Sequence, residues 1–258
     1  MKRFFIFFLA GLIIVLGIWH IAIPDTMILR LFNAALEEQG LSAEMTGTKK
    51  GFFFSFVSDR LNIQKNGVTL VSIENVRGKI DPLSPFSFRL SFFLSGHVGG
   101  GSMNTRFDLL RSKKFLSVTI NNAEIEDIPL LSTVGLEGKG LLSGDLKVEN
   151  DFGELKFNIN NADIKSISFG GMPVPLEMFS EAKGFLSLNS DATEIKSLTL
   201  EGEGIFARAK GSIAGSAVRL DIELMPERSF KEKNPIFSLL EQYRKSPGYY
   251  FIPINNNI

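Results

Sequence analysis

The sequence predicts a mainly β protein, in which an N-terminal transmembrane helix precedes an elongated, curved antiparallel β-sheet with a few short helices. Three observations predict this fold class. They are an apolar run at the N-terminus, an alternation of apolar and polar residues from position 43 to position 226, and an internal repeat of strand patterns. Residues 24–258 are enough for one large domain or two small ones.

Residues 1–23 form the predicted cytoplasmic start and transmembrane anchor. Lys2 and Arg3 precede an apolar run, residues 4–23, that contains no charged side chain and no proline. About 20 residues at about 1.5 Å per residue match a hydrocarbon core of about 30 Å. The residues assigned to the anchor include Phe4, Phe8, Ile13, Leu16 and Trp19.

The alternative for this segment is a cleaved signal peptide. The run is longer than the usual apolar region of a signal peptide, and no small-x-small cleavage site precedes Pro24 and Asp25. Retention is therefore favoured, and the two positive charges predict a cytoplasmic N-terminus. The prediction is a single-pass protein of the bacterial inner membrane with its bulk in the periplasm.

Residues 24–42 predict a juxtamembrane helix, which Asp25 or Thr26 can cap and which Gly40 ends. This helix either lies on the outer face of the membrane or packs against the domain behind it. Its apolar residues fall on one stripe, made of Ile28, Leu31, Phe32, Ala35 and Leu36.

Residues 43–226 predict half-buried antiparallel strands, because apolar and polar residues alternate there, as in Leu220, Ile222 and Leu224. Asn66 and Gly67 favour a two-residue hairpin turn. A single turn of helix is expected at residues 176–181. Residues 227–258 predict a short helix at 235–245 and a final edge strand at 247–254.

An internal repeat is the strongest fold signal after the anchor. Residues 116–128 align with residues 155–167, an offset of 39 positions that also maps Gly99 onto Gly138 and Gly101 onto Gly140. Repeated strand units cannot bury their apolar faces alone, so neighbouring units are expected to form one sheet, curled into a U-shaped trough.

Within the repeats, alternation predicts which side chains face inward. The inward residues, which would line the apolar trough, are Val118, Ile120, Phe157 and Ile159. The outward residues are Thr119, Asn121, Lys156 and Asn158. The 24 phenylalanines, against three tyrosines and one tryptophan, are either ordinary strand core or an apolar lining with phenylalanine on the concave side.

The composition argues against most chemistry. Lys and Arg number 28, as do Asp and Glu, so a nucleic-acid partner is not indicated. Cysteine is absent and only His20 and His97 are present, so no catalytic, cofactor-binding or metal-ligating residues are predicted and an enzyme is disfavoured. Glu124, Glu126 and Asp127 could bind calcium weakly, but a solvated face is the commoner explanation.

Lys49 and Lys50 precede three consecutive phenylalanines at positions 52–54. They could contact lipid headgroups or form a plain surface pair, and the sequence leaves both alternatives open.

Taken together, the order of elements resembles the N protein of bacterial type II secretion systems, with a short cytoplasmic start, one anchor, a Pro-led helix and Gly-punctuated strands. The stretches that carry the resemblance are residues 128–131, 136–146, 198–204 and 248–254. Asn255, Asn256 and Asn257 stand where that family usually has a glycine. The repeats are also similar to those of the broader AsmA-like and TamB-like β-repeat group.

The two resemblances imply two functions. The first is a non-enzymatic accessory subunit of a type II secretion system, with the inner membrane and the inner-membrane platform proteins as partners. The second is a lipid-binding, phospholipid-transporting trough protein, with phospholipid as its partner. Neither resemblance implies a cofactor.

Overall fold

In the computed structural model, the described residues are 24–37, 40–81, 90–109, 115–133, 135–169 and 172–257. The predicted anchor, residues 1–23 with Phe4, Phe8, Ile13, Leu16 and Trp19, lies outside these ranges. No helix within them combines the length and the apolarity needed to cross a membrane.

Strands dominate the described residues. In chain order they are Leu41–Thr46 (β1), Lys49–Lys50 (β2), Ser55–Lys65 (β3), Val68–Ile80 (β4), Leu90–Val98 (β5), Gly101–Leu109 (β6), Phe115–Glu124 (β7), Gly138–Glu149 (β8), Phe152–Ile164 (β9), Ile167–Phe169 (β10), Met172–Val174 (β11), Glu181–Asn189 (β12), Thr193–Gly202 (β13), Ile205–Ala214 (β14), Ala217–Pro226 (β15), Arg244–Ser246 (β16) and Tyr249–Asn257 (β17).

The helices are few and, after the first, short. The α-helices of the described residues are Asp25–Glu37 (α1), Pro129–Thr133 (α2), Arg228–Lys233 (α3) and Ile236–Leu239 (α4). Single 3-10 turns occur at Ile125–Asp127, Leu176–Met178 and Glu241–Tyr243. The helix predicted at 235–245 is therefore α4 followed by a separate 3-10 turn.

Fifteen of the strands form one large open antiparallel sheet, which confirms the mainly β, antiparallel part of the predicted fold class. Its strand order is β1-β3-β4-β5-β6-β7-β8-β9-β12-β13-β14-β15-β17-β16, with β2 paired to β3, and β10 and β11 form a separate ribbon. The hairpin predicted at Asn66 and Gly67 is present between β3 and β4. Both residues have positive φ, +51° and +79°, as a type I′ turn requires.

The chain divides into two compact units. The first unit is Met1–Val98 with Ser102–Lys114, and the second is Gly99–Gly101 with Phe115–Ile258.

In the first unit, α1 packs on the sheet through its apolar stripe. Ile28 and Phe32 are both buried. The Phe32 ring meets three rings edge-on, with centroid distances of 6.2 Å to Phe56, 5.5 Å to Phe92 and 5.2 Å to Phe107. Of the two positions left open for this helix, packing against the domain is the one the structure shows.

Asparagines in the left-handed conformation interrupt three strands. Asn75 in β4, Asn122 in β7 and Asn161 in β9 have φ of +51°, +54° and +52°. Each coincides with a shift in the pairing register, so the flanking apolar residues face the same side of the sheet despite the extra residue. Asn122 and Asn161 are equivalent positions of the 39-residue repeat.

Glycines on the neighbouring strands lie against these bulges. A Cβ on Gly101 would lie 2.4 Å from the Asn121 carbonyl oxygen, and a Cβ on Gly96 would lie 2.9 Å from the Glu74 carbonyl oxygen. On Gly140 it would lie 2.9 Å from Ile159 Cγ2. Gly101 and Gly140 are equivalent positions of the repeat, so each repeated bulge is packed against a repeated glycine.

The two repeat segments lie in β7 and β9 of the same sheet, with β8 between them. Their ends differ: Ile125–Asp127 is a 3-10 turn, whereas β9 continues to Ile164.

Candidate functional site

In the second unit the sheet has two chemically different faces. Residues paired directly across antiparallel strands lie on the same face, so the register assigns every side chain. Ile120 pairs with Gly144, Gly144 pairs with Phe157, and Phe157 pairs with Gly184. The face that carries this row is called the apolar face, and the opposite one the charged face.

All four predicted lining residues lie on the apolar face. Val118 pairs with Leu146, and Ile159 pairs with Leu142 on β8 and with Ala182 on β12. The ring of Phe157 covers Gly184, because a Cβ on that glycine would lie 2.2 Å from a ring carbon. Large and small residues therefore alternate along the row.

The four predicted outward residues do not interrupt this face. Thr119 and Lys156 both pair with Asp145 on the charged face, and the Thr119 hydroxyl donates to Asp145 at 2.7 Å. Asn158 pairs with Ser143, also on the charged face. Asn121 is exposed beside the bulge.

One end of the apolar face is covered by the segments that connect the strands. Two buried clusters form there. The first contains Phe179, Ile205, Ala207, Phe237 and Tyr250. The second contains Ile125, Ile159, Ile164 and Ala182. Side chains from α2, α3, α4 and the turn at Leu176–Met178 pack against these clusters.

Away from that end, the apolar face continues for two further rows of side chains, called here the open rows. The register aligns them across β7, β8, β9, β12, β13, β14, β15 and β17. Val218 is buried, and Gly153, Thr193 and Gly211 also lie in these rows. Most of the other members are large aliphatic residues that are only half-buried, and Ile213 is exposed. Those members are Leu116, Val118, Leu146, Val148, Leu155, Leu186, Leu188, Ile195, Ile213, Leu220 and Ile254.

The charged face carries ion pairs both within one strand and between neighbouring strands. Lys183 lies 3.1 Å from Glu181 and 3.8 Å from Glu201. The hydrogen bond to Glu181, and then the charge of Glu201, raise the pKa of Lys183 above its usual range. Arg208 lies 3.9 Å from Glu223. Exposed pairs of this kind keep a face soluble and contribute little to stability.

The phenylalanines of this unit's strands are not concentrated on the apolar face, contrary to the prediction of a phenylalanine-lined concave side. Phe157 lies on it, but Phe185, Phe206 and Phe251 lie on the charged face. Cations stack on two of them: Lys156 Nζ is 5.1 Å from the Phe185 ring centroid, and the Arg208 guanidinium is 6.0 Å from that of Phe206. Such stacking makes an aromatic ring favourable beside solvated charge.

Tyr250 closes the covered end with a small ion network. Its ring is fully buried, and its hydroxyl donates to Glu241 at 3.3 Å. Glu241 also contacts Lys231, and Arg244 at 3.4 Å. The bond from Lys231 lowers the pKa of Glu241, and the same bond raises the pKa of Lys231.

The described residues hold no group of three or more His, Asp or Glu side chains arranged to bind a metal ion. His97 is exposed and pairs with Glu74 across the sheet, Glu124, Glu126 and Asp127 are all exposed, and His20 lies outside the described ranges.

The sequence predictions named lining residues on β7 and β9 alone. The open rows of β12 to β17 were missed, although the alternation of Leu220, Ile222 and Leu224 carries the same signal.

No protein-family model, no curated protein and no solved structure matches this chain.

Proposed function

We propose that this chain is a non-enzymatic, membrane-anchored protein of the bacterial envelope whose apolar face holds the acyl chains of phospholipid. The observation that carries the proposal is the open rows, a mainly aliphatic surface on a sheet whose other face is charged. Apart from the buried Val218, the large side chains of these rows are half-buried or exposed. Apolar areas of this extent mark interaction sites rather than ordinary surface.

The dimensions of the open rows suit an extended hydrocarbon chain. Eight strands at a spacing of about 4.8 Å give a band about 34 Å long, and successive rows lie about 7 Å apart. Both leaflets of a bilayer core together span about 30 Å, so one acyl chain is shorter than the band. Coiling of the sheet around this band would produce the U-shaped trough, because antiparallel sheets twist with a fixed hand.

The decisive experiment compares two neighbouring positions on opposite faces. Leu155 belongs to the open rows, and Lys156 points to the charged face. A photo-crosslinking amino acid is placed at either position in the full chain, cells are irradiated, and adducts are identified by mass spectrometry. We expect phospholipid adducts from position 155 and few from position 156. Equal yields, or no lipid adduct from position 155 in a folded protein, would refute acyl-chain binding.

A second candidate function is the accessory subunit of a type II secretion inner-membrane platform. It is supported by the resemblance and by the outer edge of β17. In the described residues, β16 pairs only with Tyr249 and Tyr250, and no strand pairs with the outer side of residues 251–257. Such an edge can receive a strand from another protein.

The test of this second function is crosslinking from position 255 on the β17 edge in secreting cells, combined with deletion of the chain. We expect adducts with a platform protein and reduced secretion. Normal secretion without the chain would refute this function and leave the lipid proposal standing.

A further inference from the structure

The turn between β2 and β3 exposes two adjacent aromatic side chains. Phe52 is 76% exposed and Phe53 is 60% exposed. Adjacent exposed aromatic rings at the tip of a turn present a local apolar surface to the surroundings, and such surfaces are typical of interaction sites.

The backbone of this turn is unfavourable for phenylalanine. Phe53 and Phe54 have φ of +52° and +60°, the left-handed region in which a bulky side chain is an outlier. Hydrogen bonds hold the conformation: the Ser55 N–H and hydroxyl both donate to the Phe52 carbonyl, at 3.2 and 2.5 Å, and the Gly51 N–H donates to the Ser55 carbonyl at 2.8 Å. Glycine would adopt these angles without steric cost, so the aromatic side chains themselves are the useful feature.

An ion pair places the turn beside the start of α1. Lys50 Nζ lies 3.7 Å from the Asp25 carboxylate, and Asp25 is the first residue of that helix. Only Pro24 separates Asp25 from the predicted anchor, residues 4–23. The turn therefore lies at the end of the first unit at which the anchor is expected to leave the bilayer.

We propose that Phe52 and Phe53 insert into the outer interface of the membrane in which the chain is anchored, with exposed Lys49 at the level of the headgroups. Aromatic rings together with lysine suit this zone, where an apolar surface and charged headgroups meet. The turn and the anchor thus hold the first unit against the bilayer at two points. This inference rests on the anchored topology of the proposed function and not on acyl-chain binding.

The test uses the single tryptophan of the chain. Trp19 is replaced by Phe, and in that background Phe52→Trp reports on the turn in the full chain reconstituted into phosphatidylcholine vesicles. The matched control is Val68→Trp. Val68 is 56% exposed and is the first residue of β4, where it pairs with Lys65 at the far end of β3. That end lies about 33 Å from the turn, at about 3.3 Å per residue over the ten steps from Ser55 to Lys65. We expect blue-shifted emission and quenching by brominated acyl chains for Phe52→Trp. The Val68→Trp probe should show water-like emission that iodide quenches.

Two results would overturn the proposal. The first is water-like emission from the Phe52→Trp probe in a chain that sediments with the vesicles. This result would show that the turn does not contact lipid, and any partner of the turn would then have to be a protein. The second is failure of the chain to sediment with the vesicles, which would show that neither the predicted anchor nor the turn binds the bilayer. Acyl-chain binding, the proposed function, is tested independently by the photo-crosslinking experiment at position 155.

A second variant separates insertion from folding. Phe53→Gly suits the positive φ, so we expect the thermal unfolding temperature to be unchanged or higher, while lipid quenching of the Phe52→Trp probe decreases. Unchanged quenching would exclude a contribution of Phe53 to insertion.

Discussion

The two units cover their apolar surfaces in different ways. In the first unit, the 13-residue helix α1 lies on the sheet and places Phe32 among three other aromatic rings. In the second unit, α2, α3 and α4 have five, six and four residues, and they cover only one end of an eight-stranded face. An antiparallel sheet can leave one face to solvent, but that face is then normally polar. The second unit leaves its apolar face partly open, although its opposite, charged face already supplies a polar surface for water. This difference singles out the open rows as the candidate binding surface.

The units also share a device, the left-handed asparagine bulge opposed by a glycine. Asn75 with Gly96 occurs in the first unit, and Asn122 with Gly101 in the second. The two units therefore share the bulged strand backbone, and they differ in how much of the apolar face is covered by helices.

The largest effect should come from charge at the covered end of the apolar face. Ile159→Asp buries an unpaired carboxylate at a 5% exposed position and should lower the free energy of unfolding by about 4–5 kcal/mol. Ile254→Asp, in the open rows, should cost about 1–2 kcal/mol because the carboxylate reaches water. Denaturant titration measures both. Equal costs would show that the open rows are as sealed as the covered end.

In the first unit, Phe32→Ala should cost about 3–4 kcal/mol, since it leaves a cavity under α1 and removes three ring contacts. Met27→Ala on the same helix is the control, because Met27 is 41% exposed and its loss should cost less than about 1 kcal/mol. Urea unfolding of the two variants provides the measurement. A small effect of Phe32→Ala would mean that α1 does not seal the first unit.

The shared bulges predict an intermediate effect. Gly101→Ala should cost about 2 kcal/mol, because its Cβ would collide with backbone atoms of Asn121 and Ala123 at 2.4 and 2.5 Å. Gly100→Ala meets no atom within 4 Å and should cost only the strain of its φ of +70°, about 1 kcal/mol. Thermal unfolding distinguishes the two, and a reversed order would contradict the close packing at the bulge.

The smallest effect concerns pH at the covered end. The pKa of Glu241 is lowered from 4.5, so its stabilising contribution is present above pH 4.5 and is lost as pH falls through the lower folded-state pKa. The pKa of Lys231 is raised from 10.5, so its contribution is present below pH 10.5 and is lost as pH rises through the higher folded-state value. Between these limits the pair should add no pH dependence. Glu241→Gln should flatten the acid side of a plot of unfolding temperature against pH, and an unchanged acid limb would show that this network does not act on stability.

The sequence by itself determined the local features of the sheet. The alternation in Leu220, Ile222 and Leu224 assigns one face of β15, because successive side chains of a strand point to opposite sides. Asn66 and Gly67 determine their turn, because few residue pairs accept positive φ at both positions. The four lining residues on β7 and β9 share a face for the same local reason.

Only the tertiary structure decided the rest. The alternation puts Phe185 on the side opposite Leu186 and Leu188. Only the register shows that Phe185 lies beside Lys156 on the charged face, where the lysine stacks on its ring. The asparagine bulges change which residues share a face, and their glycine partners lie on other strands. The sequence also left open whether α1 lies on the membrane or packs against the domain, because its apolar stripe suits both positions. The choice depends on the rings of Phe56, Phe92 and Phe107, which contact Phe32 and come together only once strands distant in the sequence have paired.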